Sequence, residues 1–412
     1  MTCPQCGKAR LENRTLNEFL FQRTCKSCSY SIDRTPPPLN KKLIYLDQFA
    51  YSMMLKTLNP NLRSANDARG EPYLKLFQRL DSLRKLHLIV CPDSSYHHIE
   101  SGTWEHETAV RRLTDFLSAG VSFHDANFIR TSQVYYHAIG YITKACQDKD
   151  IYDVENVLRD RLNCWLPLMQ VICLTAHDME LATVLRSELK AKDTALGKLF
   201  ARWKTDAPKT FDEFLEIEFN DFGTTIANSI GRHLKRRTEA LHAIPINLDA
   251  LHPPREWDYA INIRRAFQKH GVPEDELGPK AVEYLCSSDT RTIPFNNIES
   301  HLFAAIGYQA SSFKGKAEQK KSPVGMTDIQ MLGVILPYVD AAFIDNKCYN
   351  LLTQKPLQGR LTYKAKIFCS AKMSNFMKYL DEIEASASPE HIAFIGDVYG
   401  EAWKKPSNRT FV

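Results

Sequence analysis

The sequence has no long hydrophobic run. No apolar stretch of its 412 residues reaches the roughly 18–20 residues that a membrane-spanning helix needs. The first residues, MTCPQCGK, lack the apolar core of a secretory signal peptide. The chain has neither an internal repeat nor a long low-complexity tract. These absences argue against a membrane-spanning or repeat architecture, and we expect a cytoplasmic globular protein without membrane contact.

The cysteines do not suggest a disulfide framework. Their number, eleven, is odd, and seven of them are scattered through apolar contexts such as Leu88–Cys91. This distribution is typical of reduced thiols in a cytosolic compartment. The net charge of +5 is mildly basic. It permits nucleic-acid binding without requiring it.

A small metal-binding unit is predicted at the N-terminus. Cys3-x2-Cys6 and Cys25-x2-Cys28 are separated by eighteen residues, a spacing typical of a structural Zn²⁺ site with four thiolate ligands. We assign residues 1–30 to a zinc ribbon, because so short a segment cannot build an adequate core without a metal. A redox pair of Cys-x-x-Cys motifs is the alternative. Three roles are open to the ribbon: to contact nucleic acid, to bind a regulatory protein partner, or to cap the main domain.

The rest of the chain has α/β patterning that a helical block interrupts. Residues 31–42 form a Pro-rich linker. Strand and helix signals alternate over 43–125 and return over 325–412, whereas helical periodicity fills 126–324. We predict an α/β fold: a parallel sheet flanked by helices, with a large helical insertion. Its elements include a strand over 43–51, one helix over 151–177 and a further strand within 391–412.

Four carboxylates fall at positions where such a sheet would bring them together. Asp47 ends the apolar strand KKLIYLD, and Asp345 ends the apolar run AAFID. Glu100 lies on a helix after the second strand, and Asp328 opens a later helix. The carboxyl ends of parallel strands, and the helices that follow them, meet at one edge of a sheet. Mg²⁺ or Mn²⁺ would neutralise these charges, since hard cations prefer oxygen ligands.

With these motifs in place, the chain resembles the PIN-like nuclease domains. The resemblance rests on IYLDQFAYS, CPDSSYHHIES, MTDIQML and AAFIDNKCYNLL, in this order, and covers roughly 43–125 and 325–390. It implies a PIN-like parallel sheet and metal-dependent cleavage of RNA, less often of DNA. It also implies that Asp47, Glu100, Asp328 and Asp345 hold the catalytic metals and that a metal-activated water attacks the phosphodiester. Such an architecture would suit a toxin or an antiviral defence effector.

Other polar residues have competing interpretations. Asp340 opens its strand, so we expect it at the opposite end from Asp345, as a capping or loop carboxylate or as a support for the metal site. Gln48 is either a structural amide or a group that orients water or phosphate. His97, His98 and His106 lie near Glu100, but their spacing is not His-Glu-x-x-His, so a metalloprotease site is disfavoured.

Two basic segments complete the sequence. One is the helical stretch GRHLKRR, with Arg232, Lys235, Arg236 and Arg237; the other is a loop with Lys314, Lys316, Lys320 and Lys321. Either segment could contact a phosphate backbone, or could be a solvated helix end and a flexible loop. They leave a rival hypothesis from another class, in which the protein is a non-catalytic module that binds nucleic acid or protein through its ribbon and basic helix. The oligomeric state is not predicted.

Overall fold

The structure is a computed structural model that describes residues 2–8, 11–59, 61–62, 70–165, 179–205, 210–242, 251–312 and 324–400, together with Trp403 and Phe411. Its seven described strands are β1 (Leu11–Leu16), β2 (Phe21–Cys25), β3 (Ser31–Arg34), β4 (Lys42–Leu46), β5 (Ile89–Val90), β6 (Ala341–Phe343) and β7 (Lys366–Phe368). They form two small sheets in a molecule that is mostly helical.

Fifteen α-helices are described, and they cover the second sheet and form the block between its halves. They are α1 (Gln48–Leu58), α2 (Glu71–Lys85), α3 (Ser95–Ser101), α4 (Glu107–Ser118), α5 (Ala126–Thr143), α6 (Asp148–Ile151), α7 (Met179–Thr205), α8 (Phe211–His242), α9 (Glu256–Lys269), α10 (Glu274–Leu285), α11 (Pro294–Ser312), α12 (Met326–Ile335), α13 (Asn346–Thr353), α14 (Met373–Ala385) and α15 (Pro389–Tyr399). None of these described helices is long and apolar enough to cross a membrane.

The N-terminal sheet is antiparallel, in the order β1-β2-β3. Its third strand, Ser31–Arg34, lies in the segment that we predicted as linker. The predicted boundary at residue 30 is therefore too early, because Phe21 to Thr24 pair with this strand. The three prolines that follow cannot extend the ladder, since proline has no backbone N–H to donate.

The N-terminal unit is docked on α15. The Arg23 guanidinium lies 2.7 Å from the Asp397 carboxylate, and both side chains are largely buried. The Asn13 side chain donates to the Val398 carbonyl at 2.8 Å. Phe21 packs edge-to-face on Phe394, with ring centroids 5.4 Å apart. Of the three roles open to the ribbon, the structure therefore shows a capping contact with the main body.

The second sheet is parallel, in the order β5-β4-β6-β7. Its strands are short and almost wholly apolar, as strands covered on both faces usually are. Alternate residues of β4 point to opposite faces. Leu43 and Tyr45 enter the core shared with α5, α11 and α12. Ile44 and Leu46 enter the core shared with α1, α2, α4 and α14. The sheet is thus the central layer of an α/β/α arrangement.

Several element predictions were wrong at their ends. The strand predicted over 43–51 ends at Leu46, because the Asp47 side chain caps a helix that begins at Gln48. The helix predicted over 151–177 is interrupted: Phe123 pairs with Leu158 in an isolated bridge, and 166–178 lie outside the described residues. A further strand was predicted within 391–412. The described residues up to Tyr399 form α15, which begins after a Ser388 cap, and 401–402, 404–410 and 412 lie outside the described residues.

Candidate active site

The four N-terminal cysteines converge as predicted. The Sγ atoms of Cys3 and Cys28 are 3.7 Å apart, those of Cys6 and Cys25 are 3.6 Å apart, and all four lie within 4.8 Å of one another. Tetrahedral coordination with Zn–S bonds of about 2.3 Å places sulfurs about 3.8 Å apart. Gly7, at φ +63°, allows the tight turn after the first pair. The cluster can therefore hold a metal such as zinc.

Asp47 and Asp345 follow the ends of two adjacent parallel strands. The Asp47 backbone N–H donates to the Phe343 carbonyl at 2.9 Å, which joins the ends of β4 and β6. Each carboxylate also caps the helix that follows it. Asp47 Oδ1 accepts from the Gln48 N–H at 2.7 Å, and Asp345 Oδ1 accepts from the Cys348 N–H at 2.6 Å. Capping fixes both carboxylates at the carboxyl edge of the sheet.

Asp328 and Glu100 reach the same edge from helices. Asp328 lies in the first turn of α12, where its Oδ2 accepts from the Gly325 N–H at 2.9 Å. Its ligand atoms lie within 4.8 Å of those of Asp345 and Cys348. Glu100 lies near the end of α3 and is half-buried. All four predicted carboxylates interact electrostatically at this edge.

The mutual repulsion of these carboxylates and their burial change their acidity. Burial, with the charges of Asp328 and Asp345, raises the pKa of Asp47 to about 7. Burial and the charges of Asp47, Asp328 and Asp345 raise the pKa of Glu100 well above its usual range. Burial also raises the pKa of Asp328 to about 6, despite its bond from Gly325. Such a set is stabilised by a bound cation, because opposite charge favours the ionised forms.

Cys348 is the fifth group beside this cluster. It is fully buried, and its ligand atom lies within 4.8 Å of those of Asp328 and Asp345. Burial, with the neighbouring carboxylates, raises the pKa of its thiol well above the usual range. A neutral thiol is a poor ligand for Mg²⁺, so the carboxylate oxygens of Asp328 and Asp345 are the hard ligands beside it.

A helix of the insertion forms one wall of the site. A cleft of about 990 Å³ opens above Asp328 and Asp345, and one side of it is α7. That wall presents the charged residues Arg186, Lys190, Asp193 and Lys198. Arg186 is fixed there, because its guanidinium donates to the Thr103 carbonyl at 2.7 and 3.2 Å. The sequence motifs did not predict this wall.

Asp193 brings a carboxylate of α7 close to Asp328. A Cβ atom built on Gly325 would lie 3.2 Å from Asp328 Oδ2 and 3.8 Å from Asp193 Oδ1. The two oxygens are therefore at most about 7 Å apart, within the ligand span of a pair of metal ions about 3.5–4 Å apart. Asp193 also raises the pKa of Asp328, after burial and Asp345. No local signal in RSELKAKDTALGK singles out this aspartate.

The histidines near Glu100 bind protein groups. His97 is buried; its Nδ1 lies 3.1 Å from Asp93 Oδ1 and its Nε2 lies 2.8 Å from the Leu46 carbonyl. His98 Nε2 lies 2.6 Å from Asp93 Oδ2. Although burial raises the pKa of Asp93, the bonds from His97 and His98 hold that pKa well below its usual range. His97 thus anchors the residue before Asp47.

Asp340 and Gln48 have different surroundings. Asp340 lies at the opposite end of β6, as predicted, where its Oδ2 accepts from the Leu43 N–H at 2.9 Å and its Oδ1 is 3.2 Å from Lys364 Nζ. It is a structural carboxylate. Gln48 is buried beside Asp47, and its Oε1 has no hydrogen-bond partner among the described residues.

The basic segments lie elsewhere. Arg232, Lys235, Arg236 and Arg237 are exposed on α8 and do not line the cleft. The loop with Lys314, Lys316, Lys320 and Lys321 falls outside the described residues.

Comparison with known proteins identifies no relative: no protein-family model, no curated protein and no solved structure matches this chain. The PIN-like resemblance therefore remains a prediction from the motifs.

Proposed function

We propose that the protein is a metal-dependent endonuclease that hydrolyses phosphodiester bonds, with RNA favoured over DNA. The observation that carries this proposal is the carboxylate cluster at the carboxyl edge of the parallel sheet, where burial and neighbouring carboxylates raise the pKa of Asp47, Glu100 and Asp328. Of these acids Asp328, whose pKa is raised, lines the cleft together with Asp345, and strongly perturbed acids in a cleft are typical of functional sites. The preference for RNA comes from the PIN-like resemblance. The strand order β5-β4-β6-β7, with carboxylates after β4 and β6, supports that resemblance.

The donor atoms present suit Mg²⁺ or Mn²⁺. Asp328 and Asp345 offer carboxylate oxygens within 4.8 Å of each other, a separation comparable with the roughly 4.2 Å between two oxygens that bind opposite sides of one ion at about 2.1 Å each. Asp47 and Glu100 supply further negative charge to the same edge. When bound, such ions activate a water molecule and stabilise the leaving oxygen of a phosphodiester.

The protein's own groups would fix the geometry of the reaction. The Gln48 and Cys348 N–H groups orient the carboxylates of Asp47 and Asp345. His97 holds the Leu46 carbonyl and so keeps the end of β4 in place. Because these contacts are made by backbone or buried groups, the ligand set is held in position before a cation arrives.

We further propose that zinc occupies the four-cysteine cluster and has a structural role. The four sulfurs leave no open coordination position, which is typical of structural zinc sites. Several contacts hold the ribbon on α15. Its basic Arg23 is already paired with Asp397, so this residue serves docking.

The proposal is tested by incubating the purified protein with 5′-labelled single-stranded RNA, and with DNA of the same sequence, at increasing Mn²⁺. We expect Mn²⁺-dependent RNA cleavage by the wild type and by Asp340→Asn, whose carboxylate lies at the other end of β6. Asp47→Asn and Asp345→Asn should be at least about 100-fold slower, or about 2.7 kcal/mol in the barrier. Cleavage by both variants at the wild-type rate would refute the metal mechanism.

A further inference from the structure

The cleft is lined by four basic residues, Arg186, Lys190, Lys198 and Lys347, beside the carboxylates of Asp193, Asp328 and Asp345. On α7, Lys190 and Lys198 are exposed and line the cleft, and Lys347 lines it next to Asp345. Among the described residues neither Lys190 nor Lys198 has an ion-pair partner. Their charges are thus available to a ligand in the cleft. An anionic ligand is the complement of such a lining.

The spacing of the two lysines fits an extended ligand. Eight residues of α-helix separate Lys190 from Lys198, or about 12 Å along the axis of α7. Asp193 lies between them and faces Asp328. A chain of phosphates that contacts both lysines would therefore cross the carboxylate cluster between its two contacts.

The helix that carries the lysines is held firmly over the site. Arg186 ties α7 to the Thr103 carbonyl just after α3. Gly102 permits the close approach, because a Cβ atom there would lie 2.7 Å from Leu185 Cδ1 and 2.9 Å from the His98 carbonyl. A wall fixed in this way presents its charges without the entropy loss of ordering a loop.

We propose that α7 is the substrate-binding wall of the protein, on which Lys190 and Lys198 bind the sugar–phosphate backbone of a single nucleic-acid strand and lay it across the carboxylates. This inference rests on the proposed function, and it assigns substrate binding to the helical insertion. A single strand is favoured over a duplex, because a flexible strand can place its phosphates on both lysines while it passes Asp328 and Asp345, which line the same cleft.

Strand binding is measured by fluorescence anisotropy, in the presence of Mn²⁺ and in an Asp345→Asn background, so that the strand is not cut. The test variant is the double substitution Lys190→Ala and Lys198→Ala. The matched control is Arg236→Ala with Arg237→Ala, which removes the same charge from α8. Circular dichroism before binding checks that each variant is folded.

Each phosphate contact contributes about 0.7 to the salt slope of single-strand binding, so the lysine variant should lose about 1.4 from that slope. At 0.1 M salt this corresponds to about 25-fold weaker binding. RNA and DNA single strands should lose affinity by the same factor, because the lysines contact phosphates. The control variant should bind within about twofold of the parent.

Three results would overturn the inference: affinity of the lysine variant within twofold of the parent, an equal or larger loss in the α8 control, or a loss confined to RNA. Duplex binding as tight as single-strand binding would overturn the single-strand assignment. These results can be told apart from a failure of the proposed function. In that case the wild type would show no Mn²⁺-dependent cleavage, while the lysine variant would still bind the strand more weakly than the parent.

Discussion

Replacing Asp47 with Asn should stabilise the cation-free protein at pH 8. Burial and the charges of Asp328 and Asp345 raise the pKa of Asp47 from its ordinary 3.8 to about 7. Below pH 3.8 the carboxyl is neutral in folded and unfolded chains alike, so it does not disfavour folding. As the pH rises through 7, the folded protein must ionise a group that the unfolded chain ionises easily, and stability is lost.

The size of the effect follows from the same values. Ionising Asp47 at pH 8 costs the folded state up to about 4 kcal/mol, because each pH unit between the two pKa values is worth about 1.4 kcal/mol. Asn keeps an oxygen that can accept from the Gln48 N–H. Glu100 and Asp328 also repel the other carboxylates, so removing the Asp47 charge relieves only part of the repulsion in the cluster. The free energy of unfolding of the variant at pH 8 should therefore exceed that of the wild type by about 2–4 kcal/mol.

The assay is urea unfolding followed by circular dichroism, with Mg²⁺ and Mn²⁺ removed, at pH 8 and at pH 4. The stabilisation by Asp47→Asn should be present at pH 8 and fall below about 1 kcal/mol at pH 4, where the folded carboxyl is neutral and the unfolded one is only partly ionised. Asp340→Asn is the matched control and should destabilise by about 1 kcal/mol at pH 8, since it weakens a bond from Leu43 and ion pairs with two lysines. If Asp47→Asn lowered the free energy of unfolding at pH 8, the conclusion that ionised Asp47 destabilises the cation-free fold would be refuted.

The same structure supports three further predictions. Isothermal titration should show that the Mn²⁺ affinity falls as the pH drops from 8 to 6. The fall should be up to about tenfold per pH unit for each carboxyl that takes up a proton. A pH-independent affinity would contradict the pKa values of about 7 for Asp47 and about 6 for Asp328. Asp397→Ala should destabilise ribbon docking by about 1–3 kcal/mol and expose Arg23 to limited proteolysis; an unchanged cleavage pattern would show that the contact is dispensable. Gly102→Val should displace α7 and reduce strand binding in anisotropy assays, since even a Cβ atom would meet Leu185 at 2.7 Å. Unchanged binding would show that α7 does not contact the nucleic-acid strand.

The parts of the site that local sequence determines were predictable. Asp47 and Asp345 each follow a short apolar run and cap the next helix, so strand, carboxylate and helix start are encoded within a few residues. The parallel sheet then brings them together, because both follow strands at the same edge. The Cys-x-x-Cys pairs were equally local. Asp340 could be separated from Asp345 because the strand between them, Ala341–Phe343, carries its two ends to opposite edges of the sheet.

The wall of α7 was not predictable in this way. Asp193 and Lys190 belong to a segment that looks like any exposed, charged helix, and only tertiary packing brings it to Asp328, 135 residues further along the chain. The contact of His97 with the Leu46 carbonyl, 51 residues earlier in the chain, is likewise tertiary. We predicted a strand within 391–412, but Phe394 and Ile395 in that range are buried beside Phe21 of the ribbon as parts of α15. Burial on one face overrode the local β propensity.

The most direct measurement is anomalous X-ray diffraction from crystals soaked in Mn²⁺. The proposed function predicts one or two Mn²⁺ peaks within bonding distance of the Asp328 and Asp345 carboxylates, and the loss of at least one peak in Asp345→Asn crystals. A fully occupied four-cysteine cluster together with no peak at the carboxylates, at Mn²⁺ concentrations that saturate ordinary nuclease sites, would contradict it.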